Sequence, residues 1–151
     1  MKLIGFASSL LVAGATRLPS LRASQAIDVA AAVDCSSSAD ATAWASISGD
    51  MGNSVNDCAG LSSGCASIWS GIDSECVAKC METKYSFTSS CSPAFGDLAS
   101  CGFSNCKMAC ISGDPAAESC VTCSETNCSP AFHDATGFDV VCQYVDGCNG
   151  G

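Results

Sequence analysis

Apolar positions in this chain fall into short stretches with helical spacing, separated by runs of Ser, Gly and Asp. Trp44 and Ile47 sit three apart behind Asp40, whose carboxylate suits the N-cap of a short helix. Val55, Cys58, Leu61, Cys65, Ile68 and Trp69 recur at intervals of three or four before closing on an adjacent pair. That spacing predicts one helical face, weakened by Gly60 and Gly64. Cys76 with Cys80, and Cys106 with Cys110, are i, i+4 pairs that each share one side of a helix. Asp73 or Ser74, Ser104, and Asp114 ahead of Pro115 offer further N-caps. Ser129-Pro130 repeats that start chemistry, and Gly137 is placed to end the segment. Val140 to Val145 is the single strand candidate, and it suits a short helix equally well. The expected fold is mainly α, a small disulfide-rich bundle of short helices.

The N-terminal end follows a different pattern. Met1-Lys2 precedes an apolar run from Leu3 to Val12 and then Ala13-Gly14-Ala15. A positive start, an apolar core and a small-residue cleavage site together predict a secretory signal peptide over 1–15, with Ala23 and Ala26 as later cleavage points. The run is too short for the roughly 20 apolar residues a bilayer span needs. Ala26 to Val33 is shorter still and contains Asp28, so no transmembrane segment is expected. Residues 16–34 lack cysteine and read as a flexible arm or pro-segment. Thr16 to Ile27 carries Arg17 and Arg22 with Ser and Thr and no acid, which also fits a transit peptide. On that alternative the destination is a plastid reached through the secretory route. The folded domain is then expected over 35–151.

Composition explains how so polar a domain could fold. Leu, Ile, Val and Phe make up roughly a sixth of the chain after position 15, a level that with strong charge would ordinarily leave it disordered. Against this stand 14 cysteines, an even number. All of them follow the signal region: Cys35, Cys58, Cys65, Cys76, Cys80, Cys91, Cys101, Cys106, Cys110, Cys120, Cys123, Cys128, Cys142 and Cys148. Such density in a short exported chain reads as a disulfide framework of seven bridges, whose pairing the spacing leaves open. With 6 Lys and Arg against 15 Asp and Glu, the net charge is −9. That acidity argues against nucleic acid and anionic membranes as partners.

An imperfect repeat lies in the cysteine-dense part. Cys76-x3-Cys80 followed by Cys91 parallels Cys106-x3-Cys110 followed by Cys120, and Ser92-Pro93-Ala94-Phe95 recurs as Ser129-Pro130-Ala131-Phe132. The run Asn105-Cys106, Cys110, Cys120-Val-Thr-Cys123 and Asn127-Cys128-Ser-Pro-Ala-Phe132 resembles uncharacterised cysteine-rich exported proteins predicted in algal and alveolate genomes. Those proteins often continue with another cysteine and glycine, where this chain has His133-Asp134 and then Gly137. The resemblance covers about a third of the chain. It implies an exported, cysteine-rich architecture and transfers no site residues, because the group carries no assigned activity.

Candidate chemistry is sparse. Cys120, Cys123, Cys128 and His133 have the spacing of a zinc knuckle with its last two ligands exchanged. An oxidising route, and the odd thiol that three zinc-bound cysteines would leave behind, favour disulfides there and no cofactor. His133-Asp134 echoes the catalytic pair of secreted phospholipases A2, but the paired cysteines before the His and a Gly-rich calcium loop are missing. Cys120-Val-Thr-Cys123 has thioredoxin spacing without a βαβ context. Asn127-Cys128-Ser129 is a formal glycosylation sequon, expected to stay unmodified beside a bridged cysteine and Pro130. Trp44, Trp69, Phe87, Phe95, Phe103 and Phe132 are expected to pack the interior. The first functional expectation is a secreted, non-enzymatic interaction or structural protein contacting another protein or a cell-surface component. The alternatives are a carrier of a small apolar ligand and, more weakly, a hydrolase using His133.

Overall fold

The structure is a computed structural model and describes residues 32–67, 69–111 and 114–149. The expected signal peptide and most of the 16–34 arm lie outside the described residues. Residues 32–34 sit against the body: Val33 packs on the core, and the Asp34 N–H donates to the Ser90 carbonyl at 3.0 Å.

Six α-helices and one two-stranded hairpin make up the described residues: α1 Ser38–Ile47, α2 Met51–Ala59, β1 Ala66–Ser67, β2 Gly71–Ile72, α3 Ser74–Tyr85, α4 Pro93–Cys106, α5 Glu118–Asn127 and α6 Ser129–Thr136. The fold is thus mainly helical and disulfide-rich. α4 is the central element, packing on α2, α3, α5, α6 and β2. Its approach to α3 is closest at Gly96, where any Cβ would overlap the Ser74 carbonyl oxygen.

Local chemistry sets most helix ends. Ser37 caps α1 through Oγ, which accepts from the Asp40 N–H at 3.0 Å, so Asp40 lies inside the first turn and is not the cap. Asp73 caps α3, accepting from the Cys76 N–H at 3.0 Å. α3 ends on Ser86 in the left-handed region (φ 64°). Pro93 and Pro130 stand in the first turns of α4 and α6, where a missing N–H costs nothing. Gly137 closes α6 with φ 69°, its N–H bonded to the His133 carbonyl at 2.7 Å.

Four expectations are corrected. The helical face predicted from Val55 to Trp69 stops at Ala59; Gly60 turns the chain into a 3₁₀ turn over Leu61–Ser63, and a hairpin follows. Ser104 is interior to α4, because that helix already begins at Pro93. Asp114 caps a turn, bonding the Ala116 N–H at 2.9 Å, and α5 starts only at Glu118. Val140 to Val145 is neither strand nor helix.

All 14 cysteines pair, leaving no free thiol. Cys35–Cys91 encloses Cys58–Cys80, which encloses Cys65–Cys76. Cys101–Cys128 encloses Cys106–Cys123, which encloses Cys110–Cys120. Cys142–Cys148 closes a short terminal loop. No bridge crosses another. Nesting of this kind is what antiparallel hairpins produce, since residues equally far from the connecting loop lie opposite each other. In the second set Cys101 and Cys106 lie on α4 and Cys110 in the turn after it, while Cys120 and Cys123 lie on α5 and Cys128 at its C-cap, so the expected helix does not run through both Cys106 and Cys110. The cysteines aligned in the sequence repeat pair differently: Cys80 bonds back to Cys58, whereas Cys110 bonds forward to Cys120.

The interior is aromatic. Trp44 stacks on Phe138 at 4.7 Å and 3° between planes, Phe87 lies 4.4 Å from Phe95, and Phe95 meets Phe132 edge-on at 5.1 Å. Met81 and Val77 complete the packed centre.

Candidate functional site

Two buried carboxylates are absorbed by structure. Asp40 is fully buried; Oδ1 accepts from the Thr88 N–H at 2.8 Å, and Oδ2 accepts from the hydroxyls of Thr88 and Ser37. This ties α1 to the loop after α3. Glu125 on α5 accepts three consecutive backbone N–H groups, from Gln143, Tyr144 (2.9 Å) and Val145 (2.8 Å). That grip, with Cys142–Cys148, replaces the expected regular element over 140–145.

Two lysine–carboxylate pairs lie on the surface among the described residues. Lys84 donates to Asp57 at 2.8 Å, and the Tyr85 hydroxyl adds a second bond at 3.2 Å. These two bonds, the lysine's first, hold the Asp57 carboxyl below its usual range. Lys79 and then the Ser92 hydroxyl do the same for Glu82.

The sequence candidates for chemistry separate in space. Cys120, Cys123 and Cys128 are bridged to Cys110, Cys106 and Cys101, so none of the three is a thiolate available to a metal, and Cys120 is not bonded to Cys123. His133 lies 3.7 Å from Asp134 and 3.8 Å from Asp139, ion-pair distances too long for hydrogen bonds. Its Nδ1 is buried without a hydrogen-bond partner among the described residues. A general base needs a held tautomer and orientation, and neither carboxylate supplies one at these distances. Asn127 turns its amide onto the Cys123 carbonyl at 2.8 Å.

A groove of about 890 Å³ opens among the described residues. The sequence did not point to it, because its walls come from segments far apart in the chain. Trp44, Met51, Val55, Ile72, Leu98 and Ala99 form its floor; each is half-buried and rests on the core, so the floor is the outer side of the same apolar cluster. Residues of α2, α4 and α5 all contribute to its lining. Cys110, Cys120 and Cys128 stand in the wall, which places the Cys101–Cys128 and Cys110–Cys120 bridges beside the opening. Leu61, Ile111 and Val141 reach the groove while remaining exposed to solvent. Gly102 leaves open space, since a Cβ there would meet nothing within 4 Å.

Trp69 corrects another expectation. It does not pack inside but stands 92% exposed at the turn between β1 and β2. Its N–H and that of Ser70 bond to Ser67 Oγ at 3.2 and 3.3 Å, Gly71 takes φ 87°, and Cys65–Cys76 ties the base of the hairpin. Phe103 is only half-buried and lines the groove.

No protein-family model, curated protein or solved structure matches the chain. Among the described residues no helix is long and apolar enough to cross a membrane.

Proposed function

We propose that this is a secreted, non-enzymatic binding protein whose disulfide framework holds open a groove for a small apolar ligand. The protein itself is disulfide-stabilised, and seven bridges fit folding in an oxidising compartment. The groove carries the reading. Its volume falls in the range of about 300–1,000 Å³ usual for small-ligand sites, and its apolar floor is joined by polar side chains elsewhere in the lining. A chain this poor in large apolar residues gains stability by burying them, yet Leu61, Ile111 and Val141 remain exposed around one opening. Bridges in the wall fix the groove before binding, which lowers the ordering cost of association. Export in the manner of the algal and alveolate proteins it resembles is part of this proposal, with a plastid reached through the secretory route as the alternative destination. A fluorescent fusion of residues 1–40 separates the two by where it accumulates.

A second reading, contact with another protein, is favoured by the presented Trp69, since exposed tryptophans on rigid turns make effective interface anchors. Native mass spectrometry of the oxidised protein, incubated with dodecanol, tests the first reading. A one-to-one adduct is expected for the parent protein and not for Gly102→Trp, which puts a large ring at a groove position where a Cβ meets nothing within 4 Å. No adduct, or an adduct of equal strength in both, rejects the groove as the site.

A further inference from the structure

We propose that the ligand carries an anionic head, a long-chain carboxylate, and that Lys107 is its counter-charge; this rests on the groove being a ligand site. Four ionisable side chains line the groove: Asp50, Asp57, Lys107 and Glu125. Three are engaged within the protein. Asp50 accepts from the Asn53 amide at 2.6 Å, Asp57 is held by Lys84 and Tyr85, and Glu125 is spent on three backbone N–H groups.

Lys107 differs. Among the described residues its ammonium forms no ion pair, whereas Lys79 and Lys84 are each bound to a carboxylate. It stands 4.7 Å from the centroid of the Phe103 ring, on the groove wall. In a chain of net charge −9, an unpaired cation at the edge of an apolar groove is the group a carboxylate would meet as its alkyl chain entered. A ring beneath the ammonium holds it in place without neutralising it. The backbone on either side is fixed as well, since Lys107 follows Cys106 and precedes Cys110, both bridged to α5. The position is therefore preorganised.

A lysine at the end of α4 also suits the helix dipole, so the test must separate binding from stability. Dodecanoate, dodecanol and dodecyltrimethylammonium, each below micelle formation at about pH 8 where a carboxyl is ionised, are titrated into the full oxidised protein by calorimetry. Dodecanoate should bind most tightly. Lys107→Met should weaken dodecanoate about three- to five-fold, as expected for a partly exposed ion pair. It should weaken dodecanol less than dodecanoate, and Lys107→Arg should retain the parent preference. The thermal midpoint of each variant reports any structural role. Equal binding of dodecanoate and dodecanol to the parent protein, preference for the cationic amphiphile, or equal losses for both chains in Lys107→Met overturns the assignment of the head while the groove stands. If none of the three amphiphiles binds, the groove reading falls with it.

Discussion

Phe95 and Phe132, the aromatic residues of the two Ser-Pro-Ala-Phe segments, meet edge to face in the interior with ring centroids 5.1 Å apart. Each lies two residues after a proline in the first turn of a helix, and each is buried, so one local motif delivers both rings to the same point. Phe132 also approaches Trp44 at 6.0 Å, and Phe95 approaches Phe87 at 4.4 Å. Removing either ring leaves a cavity that bridged helices cannot collapse to fill. Phe95→Ala and Phe132→Ala should each cost about 3–5 kcal/mol in urea unfolding with disulfides intact. The double variant should lose less than the sum, because the pair shares one contact.

The two buried carboxylates should respond differently to amide replacement. Two of the bonds to Asp40 come from hydroxyls, which can rotate to accept from an amide. Asp40→Asn should therefore be mild and Asp40→Ala should cost about 2–3 kcal/mol. Every donor to Glu125 is a backbone N–H that cannot reverse. Glu125→Gln should cost about as much as Asp40→Ala, and hydrogen exchange should show lost protection at Gln143, Tyr144 and Val145. Unchanged exchange at those three amides would contradict the arrangement.

Proteolysis of the unreduced protein should recover the nested pairs, and thiol titration before reduction should find none free. Of the paired Cys→Ser variants, Cys35/Cys91 closes the longest loop, spanning 56 residues, and Cys142/Cys148 the shortest, spanning 6. Their loss should cost roughly 4 and 2 kcal/mol respectively on the loop-entropy scale. Urea midpoints of the two double variants check the order.

Acid should weaken the protein. Asp57 and Glu82 are held below the ordinary carboxylate range by Lys84 and Lys79. Lowered folded-state values mean that their stabilisation is present above the unfolded pKa, near pH 4, and is lost as pH falls through the folded value. Both pairs are solvated, so the effect is small. The urea midpoint should decline below about pH 4, with a shallower decline in the Asp57→Asn, Glu82→Gln double variant.

Much of the helical layout was legible because it is local. Asp73 and Gly137 act on backbone within a few residues, and the i, i+4 spacing of Cys76 and Cys80 places both on α3, whereas Ser129 is already the first residue of α6 and its side chain makes no cap bond. The Val55 to Trp69 face failed for a physical reason too. Periodicity registers which residues are apolar, not whether the chain continues helical through Gly60 and Gly64. Asp40 was misread by three residues because a serine just ahead of it competes for the same cap.

Composition and cysteine count by themselves determined that this chain relies on covalent links, since its few large apolar side chains bury too little area to hold so acidic a fold. Which cysteine meets which was decided only in three dimensions, where α4 and the turn after it set Cys101, Cys106 and Cys110 opposite Cys128, Cys123 and Cys120 on α5 and its C-cap. The groove and Lys107, without an ion pair among the described residues, belong to that second class. They exist because segments distant in the chain leave a gap when they pack, and no pattern confined to neighbouring residues encodes a gap.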